Sequence, residues 1–165
     1  MSPALYLIDT SGLFRILQAE HRQVWMDQMT AGVIATCPLV ELEFLYSARS
    51  RADRTEKRRM LEAVFGWIPM SDGAWERADE VQQALTERGQ HRSAGPVDLL
   101  IAATAEQQRL ILLCDDKDFE VVATITGQPV RRVMDAPSSA GAAPTWPPRG
   151  ADDEDEGEGD GQPLS

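Results

Sequence analysis

The chain has 165 residues with 27 acidic and 16 basic side chains, a formal charge of −11. That length admits one domain, or one domain and a tail, and that charge excludes a protein that coats duplexes by broad phosphate neutralisation. An enzyme that gathers carboxylates around cations stays open, because bound cations reverse the local sign. The imbalance is uneven: residues 1–135 hold 20 acidic and 15 basic groups, whereas residues 136–165 hold 7 and 1. A hydrophobic content of 42% is enough for a real core. No apolar run approaches the roughly 18 to 20 residues that cross a bilayer, and no basic flank precedes a long apolar stretch at the N-terminus, so a soluble cytoplasmic protein with no membrane partner is expected. Cys37 and Cys114 belong to no paired metal-binding spacing and read as free buried thiols.

Ala4 to Ile8 is a short apolar run ended by Asp9, Thr10, Ser11 and Gly12, which predicts a buried strand followed by a turn and a helix start. Residues 13–31 read as helical. Val33 to Thr36 has the β-branched character of a second strand, and Pro38 suits the first turn of a helix carrying Leu39 to Ala48. Thr55 to Phe65 predicts a further helix, Trp67 to Pro69 a brief strand, and Ala74 to Arg88 an amphipathic helix closed by Gly89. After a polar connector, Pro96 to Arg109 predicts a buried helix with Asp98 in its first turn. Leu110 to Cys114 is the strongest strand, and its uniformly apolar run suits burial on both faces. A helix to about Ile125 and a last strand over Gln128 to Val133 complete the pattern. Strands alternating with helices mean an α/β domain with a mainly parallel sheet, over residues 1–135.

From Ala136 onward Pro, Ser, Gly and Ala dominate, and an acidic run from Asp152 to Glu156 follows. Such a segment buries too little apolar surface to offset its ordering entropy, so residues 136–165 are expected to form a disordered acidic tail, with Trp146 its single large side chain. Solubilisation is the plain reading of that charge; imitation of phosphate in a basic groove is the sharper one.

In parallel sheets, ligands bind beyond the carboxyl ends of the strands. Asp9 ends the first strand, and Asp115, Asp116 and Asp118 follow the strongest one. Each alone reads as well as a cap or turn residue. The helix with Glu41 and Glu43 offers another acid; at about 100° per residue the two point some 160° apart, so one alone faces a common site. Glu43, among Leu39, Val40 and Tyr46, is the choice, as a glutamate inside an apolar arc needs a cation. Asp98 adds a fourth acid. Converging carboxylates repel unless a cation or shared proton intervenes, and oxygen donors suit Mg²⁺ or Mn²⁺. Hydrolysis of a phosphodiester fits that chemistry. No Walker loop or Gly-x-Ser-x-Gly elbow is present, and His21 and His91 are the only imidazoles.

These pieces resemble PIN-domain ribonucleases, specifically VapC-type toxins of bacterial toxin–antitoxin pairs. The resemblance spans residues 4–133 and rests on Leu7 to Ser11, Pro38 to Tyr46, Pro96 to Thr104 and Asp116 to Phe119. It implies that Asp9, Glu43, Asp98 and Asp116 form the acidic quartet, with Asp9, Asp98, Asp116 and Asp118 as metal ligands and Ser11 in support. It also implies a three-layer α/β/α fold, a homodimer, dependence on Mg²⁺ or Mn²⁺, and cleavage of structured RNA such as tRNA or rRNA. A VapB-like antitoxin would insert a C-terminal segment with a basic side chain near the acids. Asp115 directly before Asp116 departs from the common pattern and leaves open which aspartate faces the metal.

Rival readings are a phosphatase with an aspartate nucleophile, which wants a second acid where Ser11 stands, and a receiver-like domain, which wants paired acids near the first strand. A PIN-like module that binds a partner without catalysis is a third. Arg51, Arg54 and Arg58 lie in a dense basic stretch after the Glu43 helix, and Arg92 flanks the connector before Asp98. They are expected to position phosphates rather than read bases, against the plainer reading of a solvated helix face. Neutralising Arg51, Arg54 and Arg58 together should lower the salt slope of RNA binding by about 2 if each meets one phosphate of a single strand, while metal binding persists. Binding titrations across salt concentrations check this, and an unchanged slope would refute it.

Overall fold

Four of the apolar runs and the brief stretch before Ile68 become the strands β1 (Tyr6–Ile8), β2 (Ile34–Thr36), β3 (Gly66–Trp67), β4 (Ile111–Cys114) and β5 (Val130–Arg132) in the computed structural model, which describes residues 3–137 and 145–147. The helices are α1 (Thr10–Ile16), α2 (Ala19–Val24), α3 (Met26–Thr30), α4 (Pro38–Tyr46), α5 (Arg51–Val64), α6 (Gly73–Glu87), α7 (Pro96–Gln107) and α8 (Asp118–Thr126). Every strand pairing is parallel, in the order β3-β2-β1-β4-β5. With helices flanking the sheet, this is the layered α/β/α architecture expected. Leu7, Ile8, Ile34, Leu112 and Leu113 are fully buried, as befits strands covered on both faces.

The order places β1 at the centre. The chain leaves it first towards β2 and β3, then crosses back to β4 and β5 on its other side. The reversal opens a crevice between the carboxyl ends of β1 and β4, where open α/β sheets take their ligands. Register brings the two ends level: Ile8 pairs with Leu113, and the Asp9 N–H donates to the Leu113 carbonyl at 2.9 Å.

Two expectations need correction. Residues 13–31 form three short helices rather than one, because Trp25 is pulled into the core. Its indole is fully buried, meets Tyr6 edge-on at 5.5 Å and donates to the Val133 carbonyl at 2.8 Å; tertiary burial overrides the local helical preference. Helix α5 starts at Arg51, four residues before Thr55, because the Ser50 hydroxyl accepts from the Asp53 N–H at 3.1 Å and caps it. The tail assigned to residues 136–165 lies mostly outside the described residues, as does its acidic run. Trp146 is an exception within it: its ring lies under the Arg109 guanidinium, 5.5 Å from ring centroid to charge, a contact that favours the aromatic face.

Gly12 shows how tightly α1 is set on β4. A Cβ there would stand 2.8 Å from the Leu113 carbonyl oxygen and 3.1 Å from Cys114 Cα, both backbone atoms. Gly12→Ala should therefore destabilise the domain by about 1–3 kcal/mol, as overpacking does, read as a lowered urea midpoint with unchanged slope.

Candidate active site

Asp9 is the N-cap of α1, and both of its carboxylate oxygens accept hydrogen bonds there. Oδ1 accepts from the Gly12 N–H at 2.7 Å, and Oδ2 accepts from the Ser11 N–H at 3.2 Å and the Ser11 hydroxyl at 2.7 Å. The residue is 3% exposed. Burial pushes its carboxyl up to about 6, against the lowering effect of those hydrogen bonds, and the charge of Asp98 pushes the same way. Asp98 stands at the third position of α7, where its Oδ2 accepts from the Gly95 N–H at 3.0 Å. Its carboxyl is also raised, first by burial and then by the charges of Glu43, Asp116 and Asp118. The charges of Glu43, Asp116 and Asp118 thus bear on Asp98, and that of Asp98 on Asp9.

Glu41 and Glu43 lie on different sides of α4. The Thr10 hydroxyl donates to Glu43 Oε2, whereas Glu41 accepts from the Thr36 hydroxyl at 3.3 Å and pairs with Arg58 at 3.7 Å. The surroundings of Glu43 differ from those expected. The buried face of α4 is Val40, Phe44 and Leu45, while Glu43 and its neighbours Leu42 and Tyr46 are exposed. The arc drawn around Glu43 from sequence is split, with Val40 buried, Leu39 half-buried and Tyr46 exposed, because the helix rests on the core along Val40 and Phe44 and leaves Glu43 at the outer side.

The three aspartates after β4 separate by what they touch. Asp115 turns to α1, where Arg15 holds its Oδ2 through Nε at 3.0 Å and Nη2 at 2.8 Å. Asp116 is exposed, with Oδ1 accepting from the Asp118 N–H at 3.0 Å. Asp118, also exposed, opens α8. The charges of both Asp116 and Asp118 reach Asp98. Cys37 and Cys114 are free and buried; burial, and then the charge of Asp9, push the Cys114 thiol up, so it is a packing residue and not a nucleophile.

Among the described residues, no three Asp, Glu, His or Cys side chains are drawn together into a closed metal cage as they are placed. Repulsion spreads carboxylates that share an edge, and each here rests on a local donor. The donor chemistry nevertheless fits a hard divalent cation. The candidate donors are oxygens alone, like charges among them repel, and Glu43, Asp98 and Asp116 each keep one oxygen outside the hydrogen bonds just described.

The basic candidates do not act as one group. Arg51 and Arg54 are exposed on α5, and Arg51 lines a shallow surface cavity of about 620 Å³ with Thr55, Glu56 and Arg59. Arg58 is engaged by Glu41 at 3.7 Å and Glu62 at 4.0 Å. Arg92 is exposed in the connector before α7. Sequence reasoning missed Thr10, Arg15 and Arg132 as neighbours of the acids. Arg15 carried a usable signal: it lies one turn after Ser11 on a short helix that buries Leu13 and Ile16 beside it.

A family model described as PIN domain matches residues 6–125. Ribonuclease VapC21 of Mycobacterium tuberculosis is 41% identical over 135 residues, which are 82% of this chain and 97% of that one. Ribonuclease VapC2 of the same organism is 34% identical, over 85% of this chain and the whole of that one. The fold is similar to that in the crystal structure of VapBC2 from Rickettsia felis bound to a promoter DNA fragment, with a TM-score of 0.64 at 18% identity over 77% of this chain and 97% of that one. It is likewise similar to VapBC-5 of Mycobacterium tuberculosis, with a TM-score of 0.51 at 23% identity over 80% and 98% of the two chains.

The raised carboxyl of Asp9 has a consequence for stability. With a folded value of about 6 against 3.8, the folded protein binds more protons than the unfolded chain between those values, so this group's contribution falls as pH rises from about 4 to about 6. The loss amounts to about 3 kcal/mol. In EDTA, the melting temperature of Asp9→Asn relative to wild type should therefore move in the variant's favour between pH 4.5 and pH 7.5. A difference that stays constant across that range would count against the burial of a charged Asp9.

Proposed function

The chain belongs to the PIN-domain family, in the group of the VapC ribonucleases, and on that premise we propose that it is a metal-dependent endoribonuclease toxin cutting structured RNA such as tRNA or rRNA. The observation that supports this reading is the placement of Asp9 and Asp98, both withdrawn from water at the carboxyl edge of the sheet with raised carboxyls, where the charges of Glu43, Asp116 and Asp118 bear on Asp98. Asp9, Asp98 and Asp116, with Asp118 beside them, would hold Mg²⁺ or Mn²⁺. When bound, such a cation neutralises charge on the scissile phosphate and acidifies a water.

The chain's own residues do the rest. Gly12 and Ser11 hold both oxygens of Asp9, so its carboxylate cannot rotate away from the crevice. Gly95 does the same for one oxygen of Asp98. Thr10 holds Glu43 Oε2 and leaves Oε1 to accept a proton from the attacking water. Arg51, Arg54 and Arg92 would steer the RNA backbone, with Arg58 contributing less because two glutamates already engage it.

The likeness to VapBC complexes supports an antitoxin partner of the VapB type, whose basic side chain would compete with the cation for the acids. A homodimer and a cytoplasmic location complete the proposal; no helix among the described residues is long and apolar enough to cross a membrane.

Wild type, Asp9→Asn and Asp98→Asn should be compared on total cellular RNA with Mg²⁺, Mn²⁺ or EDTA, and the new ends sequenced. Discrete cuts are expected from wild type with either metal, with a loss of at least about 100-fold in both variants and none in EDTA. A folded wild type that binds Mn²⁺ and cuts nothing would instead be a partner-binding module.

A further inference from the structure

Asp115 is held at every polar handle but one. Its N–H donates to the Ser11 hydroxyl oxygen at 3.1 Å. Its carbonyl accepts from Arg132 through Nε at 3.2 Å and Nη2 at 3.0 Å. Its Oδ2 takes both nitrogens of the Arg15 fork, and its Oδ1 is buried with no hydrogen-bond partner. The side chains of Arg15 and Asp115 are 33% and 19% exposed, so the pair is partly withdrawn from water. Two elements that carry the acids, α1 and the β4–α8 turn, are thereby fastened at one residue.

The fastening decides where a proton goes. A serine hydroxyl has one hydrogen and two lone pairs. Because Ser11 Oγ accepts from the Asp115 N–H, its hydrogen is left for Asp9 Oδ2, 2.7 Å away. Asp9 then receives donors at both oxygens, which fixes the plane of its carboxylate. We propose that Asp115, clamped by Arg15, is the positioning residue of the carboxylate site rather than one of its metal ligands, acting through the Ser11 hydroxyl to orient Asp9. This rests on the ribonuclease reading for its purpose, though not for its measurement.

Charge alone predicts the opposite pattern, and that makes the test decisive. If Asp115 acted only by its negative charge, its loss would weaken cation binding and loss of the Arg15 cation would strengthen it. Under the positioning role both losses loosen the same contact. Mn²⁺ binding to the full chain, measured by calorimetry, should weaken about 10-fold in Asp115→Ala and in Arg15→Ala, the range typical for groups that orient metal ligands. The double variant should be no weaker than either single one, because coupled partners are not additive. In a Ser11→Ala background, Asp115→Ala should add nothing.

The double variant also protects against misfolding, since it leaves neither charge unpaired. Opposite effects of the two single variants, additive losses, a further loss in the Ser11→Ala background, or unchanged Mn²⁺ affinity would each overturn the proposal. A wild type that takes up no Mn²⁺ would overturn it as well, whereas one that binds Mn²⁺ and cuts no RNA would sink the ribonuclease reading alone.

Discussion

Burying a carboxylate at the end of the central strand is the constraint around which this domain is arranged. Asp9 loses its hydration where β1 stops, and a bare charge there would be untenable. The chain answers locally, by turning at once into α1 so that the Gly12 and Ser11 amides meet the two oxygens. That turn requires glycine at position 12, since a side chain would strike the β4 backbone. The turn also brings the Ser11 hydroxyl between Asp9 and the residue following β4. The cap, the crevice and the contact between neighbouring strands are thus one arrangement. The caps do not fully compensate, and the carboxyl remains at about 6. The residual cost is what a cation would remove on binding, so stability is given up locally where a ligand can restore it.

The same logic organises the other acids, each of which is braced before any ligand arrives. Asp98 reaches back to the Gly95 N–H before its own helix, Asp116 accepts from the Asp118 N–H at the start of α8, and Glu43 rests on Thr10. The braces come from different elements, so the relative position of the acids depends on how the helices sit on the sheet. Packing between α6 and α7 is strengthened by Arg77, which grips both oxygens of Glu106 at 2.8 and 2.9 Å. Bidentate geometry of this kind fixes orientation as well as distance. It anchors the far end of the helix whose first turn presents Asp98.

Much of the architecture was legible in sequence because strands buried on both faces announce themselves as unbroken apolar runs. Ile111 to Cys114 is the clearest, and its end marks the site. Asp9, Asp98 and Asp116 stood out for a related reason, since each follows a strand or sits in the first turn of a helix, whereas Glu43 lies inside α4 and carries no such mark. The illegible parts depend on tertiary contacts. Nothing local says that Trp25 will leave its helix for the Val133 carbonyl 108 residues away. Nothing local says which face of α4 meets the core, because its apolar residues occupy most of the circumference. The two neighbouring aspartates after β4 could not be ranked until Arg15, 100 residues earlier, was seen to hold one of them.

The allocation of cations bears on how such an acidic chain could handle RNA. Several of its basic groups are engaged with its own carboxylates: Arg15 with Asp115, Lys57 with Asp53, Arg58 with Glu41, and Arg77 with Glu80 and Glu106. Three of these pairs, Arg15–Asp115, Arg58–Glu41 and Arg77–Glu106, join elements of the domain, the other two each lie within one helix, and all offer little net charge to a polyanion. The exposed Arg51, Arg54 and Arg92 are joined on the surface by Arg22, Arg49, Arg59, Arg88 and Lys117, yet the chain keeps a net charge of −11. Affinity from counterion release scales with the phosphates neutralised, so a ribonuclease built this way would bind arbitrary RNA weakly. Selectivity would then depend on whether a strand can bring its scissile phosphate to the acids at the ends of β1 and β4. On the function proposed above, discrimination among RNAs would then come from the shape of the strand at the site and not from broad electrostatic attraction.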